Sequence, residues 1–265
     1  MCARIGLRLS LSGNLSLKDI TMKKEFLCTC LIALPAASAA AVISGSVNVT
    51  TNYLFKGVSL SGEKVALQPY VEYSDDSGFY ASAWESNIDF SATDRFGQSV
   101  RYASNELDIA SGFRWTAGQL SLDLGVGTYS YFGSADSVQQ DQSRIRASDI
   151  NYFDVYVRAN RKNTSFSYSF APNYAGFGIR HSIFSLSQGV ALPAEFRLTL
   201  ASSYLYSHDD NGFYQQASSP GYIHFSVAVQ KRVARLDWAF ALEAQNNRGD
   251  FAGSLTPVLT VSLPF

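Results

Sequence analysis

The sequence predicts an all-β fold, a transmembrane antiparallel up-and-down β-barrel of about 12 strands. Apolar and polar residues alternate over most of the chain, the alternating segments mostly run nine to twelve residues, and the chain ends on an aromatic residue, Phe265. Alternation with a period of two indicates strands with one apolar face. A strand tilted by about 45° needs roughly 9 to 11 residues to cross a bilayer, whereas strands of soluble sandwiches are typically about five or six residues long.

The composition fits this fold class. The chain has 265 residues, of which 46% are hydrophobic, 14% aromatic and only 16% charged. The charged fraction is low for a soluble domain, whereas 15 Tyr and 18 Phe suit a barrel with aromatic girdles and a polar lumen.

The first 40 residues are interpreted as an export leader. Residues 22–40 resemble a signal peptide, with a basic start at Met22 to Lys24, an apolar stretch at 26–34 and small residues before the cleavage site. A membrane anchor, the alternative interpretation, needs about 20 apolar residues. Residues 1–21 are interpreted as an upstream start or an extended n-region. We expect residues 41–265 to form a barrel in the cell outer membrane of a Gram-negative bacterium, after export through the periplasm.

The cysteines and the charge narrow the range of partners. Cys2, Cys28 and Cys30 all precede the expected cleavage site, so the mature chain lacks cysteine, which suits an oxidising periplasm. Residues 41–265 hold 16 basic and 20 acidic residues, a formal charge of −4. Without a basic patch, a nucleic-acid partner is not expected. No cofactor is implied.

Twelve alternating segments are predicted, with ten or fourteen strands as the alternatives. An even number places both termini of a single-chain bacterial barrel on the periplasmic side, where connections are short. Short connections are predicted at 74–78, 116–119, 161–164 and 231–235, and long ones between them. The segments are 46–56, 65–73, 79–88, 105–115, 120–131, 150–160, 165–171, 179–188, 196–206, 222–230, 236–244 and 255–265.

The final segment carries a second signal. Apolar residues alternate up to Phe265, and such a C-terminal strand is what the barrel-assembly machinery recognises. Pro257 and Pro264 interrupt the pattern, since proline cannot donate a ladder hydrogen bond. Outer-membrane lipid and lipopolysaccharide are the other partners that a barrel of this kind would meet.

Two N-terminal stretches resemble a known family. Residues 48–59 read Asn-Val-Thr-Thr-Asn-Tyr-Leu-Phe-Lys-Gly-Val-Ser, and residues 78–89 read Gly-Phe-Tyr-Ala-Ser-Ala-Trp-Glu-Ser-Asn-Ile-Asp. With residues 68–73 they resemble the TorF-type porins, also called the Gcw_chp family. The resemblance implies a proteobacterial outer-membrane barrel with a porin function. The chain departs from the familiar pattern at Lys56, where arginine is usual, and at Glu85, where glycine is usual.

The alternation also predicts which charged side chains face the lumen. Opposed charges in a constriction would set ion preference, and their near balance predicts at most a slight preference for cations. Lys56 and Arg180 are assigned to the same inner face. The predicted pore-lining residues are Glu72, Glu106, Asp108, Arg114, Asp123, Asp154, Arg158, Arg197, Asp237 and Glu243.

The function predicted is passive diffusion of small polar solutes or ions through this lumen. A narrow barrel can instead fill itself with paired side chains and pass nothing, so a plugged structural or surface-interaction barrel, whose external loops 132–149 and 207–221 meet a partner, remains open. An outer-membrane lipid-modifying enzyme is a third class. His224 and Ser226 share a face, but no orienting acid can be assigned to them, and an enzyme is not expected.

Two other kinds of site are weighed. The three histidines lack metal-ligand spacing, so no metal site is expected. Aromatic residues near predicted strand ends are expected to form an interfacial girdle, with a sugar-stacking surface as the alternative. They are Tyr129, Tyr131, Phe132, Tyr152, Tyr204, Tyr206 and Tyr222.

Overall fold

Twelve strands close into one antiparallel barrel in the computed structural model, which describes residues 41–93, 99–133, 137–138, 144–145, 147–209, 220–246 and 255–265. Each barrel strand pairs with its neighbours along the chain, and the first pairs with the last. The predicted fold class and strand number are confirmed. The strands are β1 (Val42–Thr50), β2 (Ala66–Ser74), β3 (Phe79–Thr93), β4 (Ser99–Ala117), β5 (Leu120–Phe132), β6 (Tyr152–Arg161), β7 (Thr164–Ala171), β8 (His181–Ala191), β9 (Arg197–Ser207), β10 (Gly221–Val233), β11 (Leu236–Gln245) and β12 (Thr256–Pro264).

Several strand ends differ from the prediction. β1 ends at Thr50, six residues before the predicted end, because the chain turns into the barrel there. β3 and β4 extend past the predicted segments, and their pairing changes register between Asn87 and Phe90. The predicted leader, residues 1–21 and 22–40, lies outside the described residues, as do 210–219 and 247–254 of the predicted long loops. The predicted long link 89–104 belongs largely to β3 and β4.

The outer face of the barrel is apolar. Leu124 in β5 is 56% exposed and pairs with Phe113 of β4 on one side and Val157 of β6 on the other. The same exposure of large apolar side chains recurs around the described strands, from Leu186 in β8 to Phe240 in β11. An exposed apolar band of this extent is the surface that a membrane barrel turns towards lipid.

The two ends of the barrel have different connections. Tight turns join β4 to β5 and β6 to β7, and Gly118, with φ +64°, supplies the left-handed residue in the first. The chain closes at this same end, because the Gly45 and Phe265 amides each donate to the other's carbonyl over 3.0 Å. We call this the short-turn end and the opposite one the long-loop end. No helix in the described part of the chain is long and apolar enough to cross a membrane.

Candidate functional site: a lumen crossed by an inward loop

All ten predicted pore-lining residues occupy the inner face in the strand register, alternating with the exposed apolar side chains. They fall at different heights along the barrel, and four of them lie towards the long-loop end: Glu106, Asp108, Asp154 and Glu243. Four others lie nearer the short-turn end: Glu72, Arg114, Asp123 and Arg158. Arg197 and Asp237 lie at the short-turn end. Their role in a pore stays a prediction.

Residues 51–65, here called the inward loop, connect β1 to β2 through the lumen. Leu54–Phe55 pairs with Val58–Ser59 in a miniature hairpin. Its two turn residues, Lys56 and Gly57, have φ values of 51° and 81°. Positive φ at both central residues is typical of the type I′ two-residue hairpin turn, so this Lys-Gly pair positions the tip.

Side-chain hydrogen bonds hold the base of the inward loop. Asn52, only 6% exposed, accepts at Oδ1 from Ser59 Oγ over 2.7 Å and from Ser61 Oγ over 3.1 Å. Ser61 Oγ also lies 2.6 Å from the Lys64 carbonyl, so its single proton is shared between the two acceptor oxygens. A buried polar network of this kind is stable when its members have partners, and it keeps the loop in one conformation.

The tip of the loop reaches the opposite wall. Lys56 Nζ donates to Ser185 Oγ of β8 over 3.2 Å, and Tyr222 Oη of β10 donates to the Lys56 carbonyl over 3.3 Å. Phe55 and Val58 pack against a buried cluster containing Leu205 of β9 and Tyr222. The loop therefore crosses the lumen and narrows it.

Two of the charges assigned to the inner face of a strand are elsewhere. Lys56 is inside the barrel, but at the tip of the inward loop, because β1 has already ended. Arg180 precedes β8 at the long-loop end, where its guanidinium is held by Asp209 at 2.7 Å. The prediction that Arg180 lies on an inner strand face is wrong.

Below the inward loop, one wall carries a row of ion pairs. Arg114 binds both carboxylate oxygens of Glu72, at 2.6 and 2.8 Å, and its Nε lies 3.6 Å from Asp123. Arg158 Nη1 donates to the same Asp123 over 3.3 Å. Tyr80, stacked under Arg114, donates to Asp123 over 2.7 Å. This ion-pair row lines the side of the lumen formed by β2 to β6.

The facing wall is lined by small residues. Most inner positions of β7 to β12 below the loop hold serine, alanine or threonine, and most of these side chains are partly exposed. Across the lumen, Tyr80 and Asp123 are 1% and 4% exposed, and the arginines beside them are partly exposed. Exposed small residues on an inner face mean that the space beside them is unfilled. We call this surface the small-residue wall; it includes Ser165, Ser167, Ser185, Ser187, Ala201, Ser226, Ala228, Ala239 and Ala241.

A cavity of about 570 Å³, here called the vestibule, lies towards the long-loop end. Its lining includes the inward loop, the carboxylates Glu106 and Asp108, and several aromatic rings. Residues 174–177, between β7 and β8, contribute Tyr174, which lies edge-on to Tyr152 at 5.0 Å between ring centroids. The vestibule thus combines an apolar, aromatic surface with two carboxyl groups.

A second cavity of about 140 Å³ adjoins the vestibule. The two share Phe55, Tyr129, Tyr152 and Tyr174 in their linings. The smaller one, here called the neck, brings together Lys56, Asp154, Arg158 and inner serines of β7 and β8, among them Ser167 and Ser185. It therefore lies between the vestibule and the small-residue wall.

The girdle prediction is wrong for four of the seven aromatic residues. Tyr129, Tyr131, Tyr152 and Tyr222 line the vestibule, because they share strand parity with inner charges such as Asp123 and Asp154. Tyr131 Oη donates to Glu106 and Tyr129 Oη to Asp154, over 2.8 and 3.2 Å. The outer face carries the remaining three, Phe132, Tyr204 and Tyr206.

His224 and Ser226 both lie on the inner face, as predicted, in neighbouring inner positions of β10. His224 Nε2 pairs with Glu243 Oε2 at 3.1 Å, and its Nδ1 has no hydrogen-bond partner among the described residues. Within the same residues, no group of three or more His, Cys, Asp or Glu could hold a metal ion.

Sequence reasoning missed the inward loop and Tyr174. A signal for the loop was present, because Leu-Phe-Lys-Gly-Val-Ser reads as two short strands around a two-residue turn ending in glycine. Tyr174 carries no comparable signal, since a single tyrosine in a connection can lie on any surface.

Similar solved structures include the NanC porin, 8% identical with a TM-score of 0.46, covering 83% of this chain and 98% of that one. The KdgM porin in complex with disordered oligogalacturonate is 10% identical with a TM-score of 0.44, covering 85% and 98%. OccAB4 of Acinetobacter baumannii is 10% identical with a TM-score of 0.41, covering 81% of this chain and 56% of its own. At such identities the likeness concerns the barrel fold alone.

No curated protein matches the chain. A family model does, over residues 35–250, and its description is a bacterial protein of unknown function, Gcw_chp. The match includes the inward loop, the ion-pair row and the vestibule carboxylates, and it covers most of the chain. The resemblance seen in residues 48–59 and 78–89 is thereby confirmed, and the chain belongs to the Gcw_chp family.

Proposed function

We propose that the barrel is an outer-membrane channel, and not an enzyme, through which small polar solutes and ions diffuse passively. The observation that carries this proposal is the asymmetry of the lumen. The ion-pair row lines one wall, whereas small, partly exposed residues on the other wall leave space along the barrel. A barrel packed shut would bury these small residues.

The proposed path enters at the long-loop end, which faces outward if the short turns face the periplasm. It passes through the vestibule and the neck between Lys56 and Asp154, and continues along the small-residue wall. The charged pair Arg232 and Asp237, joined at 2.6 Å, would border the periplasmic exit.

The charges along this path favour cations at the entrance. Glu106, Asp108 and Asp154 contribute three carboxyl groups near the outer cavity, and Lys56 and Arg158 of the neck are the cations among the described lining residues. The ion-pair row below holds two acidic and two basic side chains, so it adds no net charge. A modest preference for cations is the expected result.

The outer face and the C-terminus suggest the surroundings of the channel. The apolar band would contact outer-membrane lipid and lipopolysaccharide. Phe265, paired through its backbone to Gly45, would be the residue read by the barrel-assembly machinery before closure.

Channel activity is tested by single-channel recording of refolded residues 41–265 in a planar bilayer under a salt gradient. A second protein replaces residues 54–59 by Asn-Gly, a turn that fits because the Leu60 amide already bonds the Tyr53 carbonyl at 2.8 Å. We expect discrete steps from the parent and a larger conductance after the tip is removed. Glu63→Gln, an exposed change in the same loop, is the matched control.

Two outcomes would contradict the proposal. A correctly folded, heat-modifiable barrel that stays silent both with and without the loop tip would favour a plugged interaction barrel. Equal conductance of the parent and the tip-deleted protein would show that the inward loop does not narrow the path.

A further inference from the structure

Two carboxylates in the vestibule lack a cationic partner. Glu106 is 2% exposed, and its Oε2 has no hydrogen-bond partner among the described residues, although Oε1 accepts from Tyr131. Asp108, one inner position along β4, makes no hydrogen bond or salt bridge with the described residues, and its Oδ1 is also buried. Ionising carboxyl groups that are buried without a cationic partner is unfavourable, so a ligand that supplies positive charge would stabilise their ionised form.

The vestibule contains no such charge of its own. Among the described residues that line it, none is lysine or arginine. Nearer the short-turn end, Glu72 and Asp123 are each bound by an arginine, whereas Asp154 in the adjoining neck also has a buried oxygen, Oδ1, without a hydrogen-bond partner among the described residues. The carboxyl groups without an arginine partner are therefore concentrated in the part of the lumen that a solute would reach first.

Aromatic rings surround these carboxylates. Tyr53 and Trp84 meet edge to face at 5.3 Å between ring centroids, and Tyr129 stacks on Tyr152 at 4.4 Å. Tyr174, in the segment before β8, packs edge-on against Tyr152 and completes this aromatic cluster. Ring faces attract cations, most strongly where water is excluded, and they also bury the apolar part of a ligand.

We propose that the vestibule binds an organic ammonium ion, with the ammonium group at Glu106 and Asp108 and the apolar body against Tyr129, Tyr152 and Tyr174. The volume of about 570 Å³ exceeds what a bare metal ion would need. This inference deepens the proposed channel function, because the vestibule would be the binding step that precedes passage through the neck.

The test uses three probes of nearly equal size: phenethylammonium, the neutral 2-phenylethanol and the anionic phenylacetate. Each is titrated calorimetrically into the barrel folded in detergent micelles. We expect phenethylammonium to bind at least tenfold more tightly than the alcohol, and phenylacetate not to bind. Because the readout is binding rather than conduction, this inference and the channel proposal can fail independently.

Substitutions separate the contribution of the two carboxyl groups from that of the aromatic rings. Glu106→Gln combined with Asp108→Asn should abolish the preference for the ammonium probe over the alcohol. Tyr174→Ala, a change in a connecting segment rather than a strand, should weaken phenethylammonium at least fivefold in a barrel that still folds. Glu195→Gln, which changes an exposed carboxylate at the short-turn end, should alter neither.

The proposal is overturned by either of two results. Equal binding of the ammonium and the alcohol would show that the carboxyl groups are neutral and that only the rings bind. No binding of any probe to a folded, conducting barrel would show that the vestibule is a passage without a recognition step.

Discussion

Lys56 Nζ donates a hydrogen bond to Ser185 Oγ over 3.2 Å, and this contact joins two opposite sides of the lumen. Lys56 comes from the connection between β1 and β2, and Ser185 from the middle of β8. The bond lies in the neck, beside Asp154 and Arg158. Every solute that follows the proposed path passes this lysine, so its charge should influence ion selection.

Replacing Lys56 by methionine should increase the preference for cations. A unit charge about 4 Å from an ion contributes about 1 kcal/mol in water-like surroundings, or about fivefold in relative permeability. The reversal potential under a potassium chloride gradient measures the ratio of cation to anion permeability. Lys162→Met, in the β6–β7 turn, is the matched control. The same shift in both variants would assign the effect to overall charge and not to the neck.

The ion-pair row should stabilise the barrel through coupling between Glu72 and Arg114. Their side chains are 10% and 39% exposed and make two short hydrogen bonds. Removing one member leaves the other poorly solvated, so a double-mutant cycle with Glu72→Gln and Arg114→Met should give a coupling of about 2 kcal/mol. Urea unfolding of the barrel in micelles supplies the four free energies.

An equivalent cycle at Arg232 and Asp237 provides the comparison. That pair has the same short distance, 2.6 Å, but both side chains are well exposed. Exposed ion pairs contribute little to stability, so its coupling should be close to the limit of measurement. Equal coupling at the two sites would mean that burial within the lumen does not strengthen the row.

The strands were predictable because lipid and lumen select opposite residue types at successive positions. The same alternation gave the wrong end for β1, because the apolar pattern continues through Tyr53 and Phe55. These two residues are apolar because they pack inside the barrel and not because they face lipid. Both rings pack inside the barrel, one near Trp84 and the other against the cluster around Leu205. A period of two cannot distinguish a lipid-facing ring from one carried inward by a loop.

The inward tyrosines were within reach of sequence reasoning. Parity with Asp123 places Tyr129 and Tyr131 on the inner face of β5, and parity with Asp154 does the same for Tyr152 in β6. The girdle assignment relied on position near strand ends and ignored that parity. By contrast, the missing cationic partners of Glu106 and Asp108 depend on contacts between distant strands, which no local pattern records.

Gly125→Ala should destabilise the barrel by about 1 to 3 kcal/mol, the usual range for inserting a methyl group into a packed site. A Cβ at Gly125 would lie 2.5 Å from Tyr156 Oη and 2.8 Å from the Ser111 carbonyl. Tyr156 cannot move freely, since its hydroxyl bonds Tyr80 Oη at 2.5 Å. Urea unfolding measures the loss. Gly189→Ala is the control, because its new Cβ meets the flexible guanidinium of Arg197, and a comparable loss there would contradict the packing argument.

Asp209→Asn should release the segment that carries Tyr174. Two hydrogen bonds from Arg180 lower the pKa of Asp209 to about 2: the one from its side chain has the larger effect, and the other comes from its backbone amide. An unperturbed aspartate has a pKa of about 4, so the contact is fully present above about pH 4 and is lost as the pH falls towards 2. Trypsin should cleave after Arg180 several-fold faster in the Asp209→Asn variant than in the parent at pH 8. The control variant Glu195→Gln should be cleaved there at the rate of the parent. An NMR titration should place the Asp209 midpoint near 2, and a midpoint near 4 together with unchanged cleavage would show that the pair does not hold this segment.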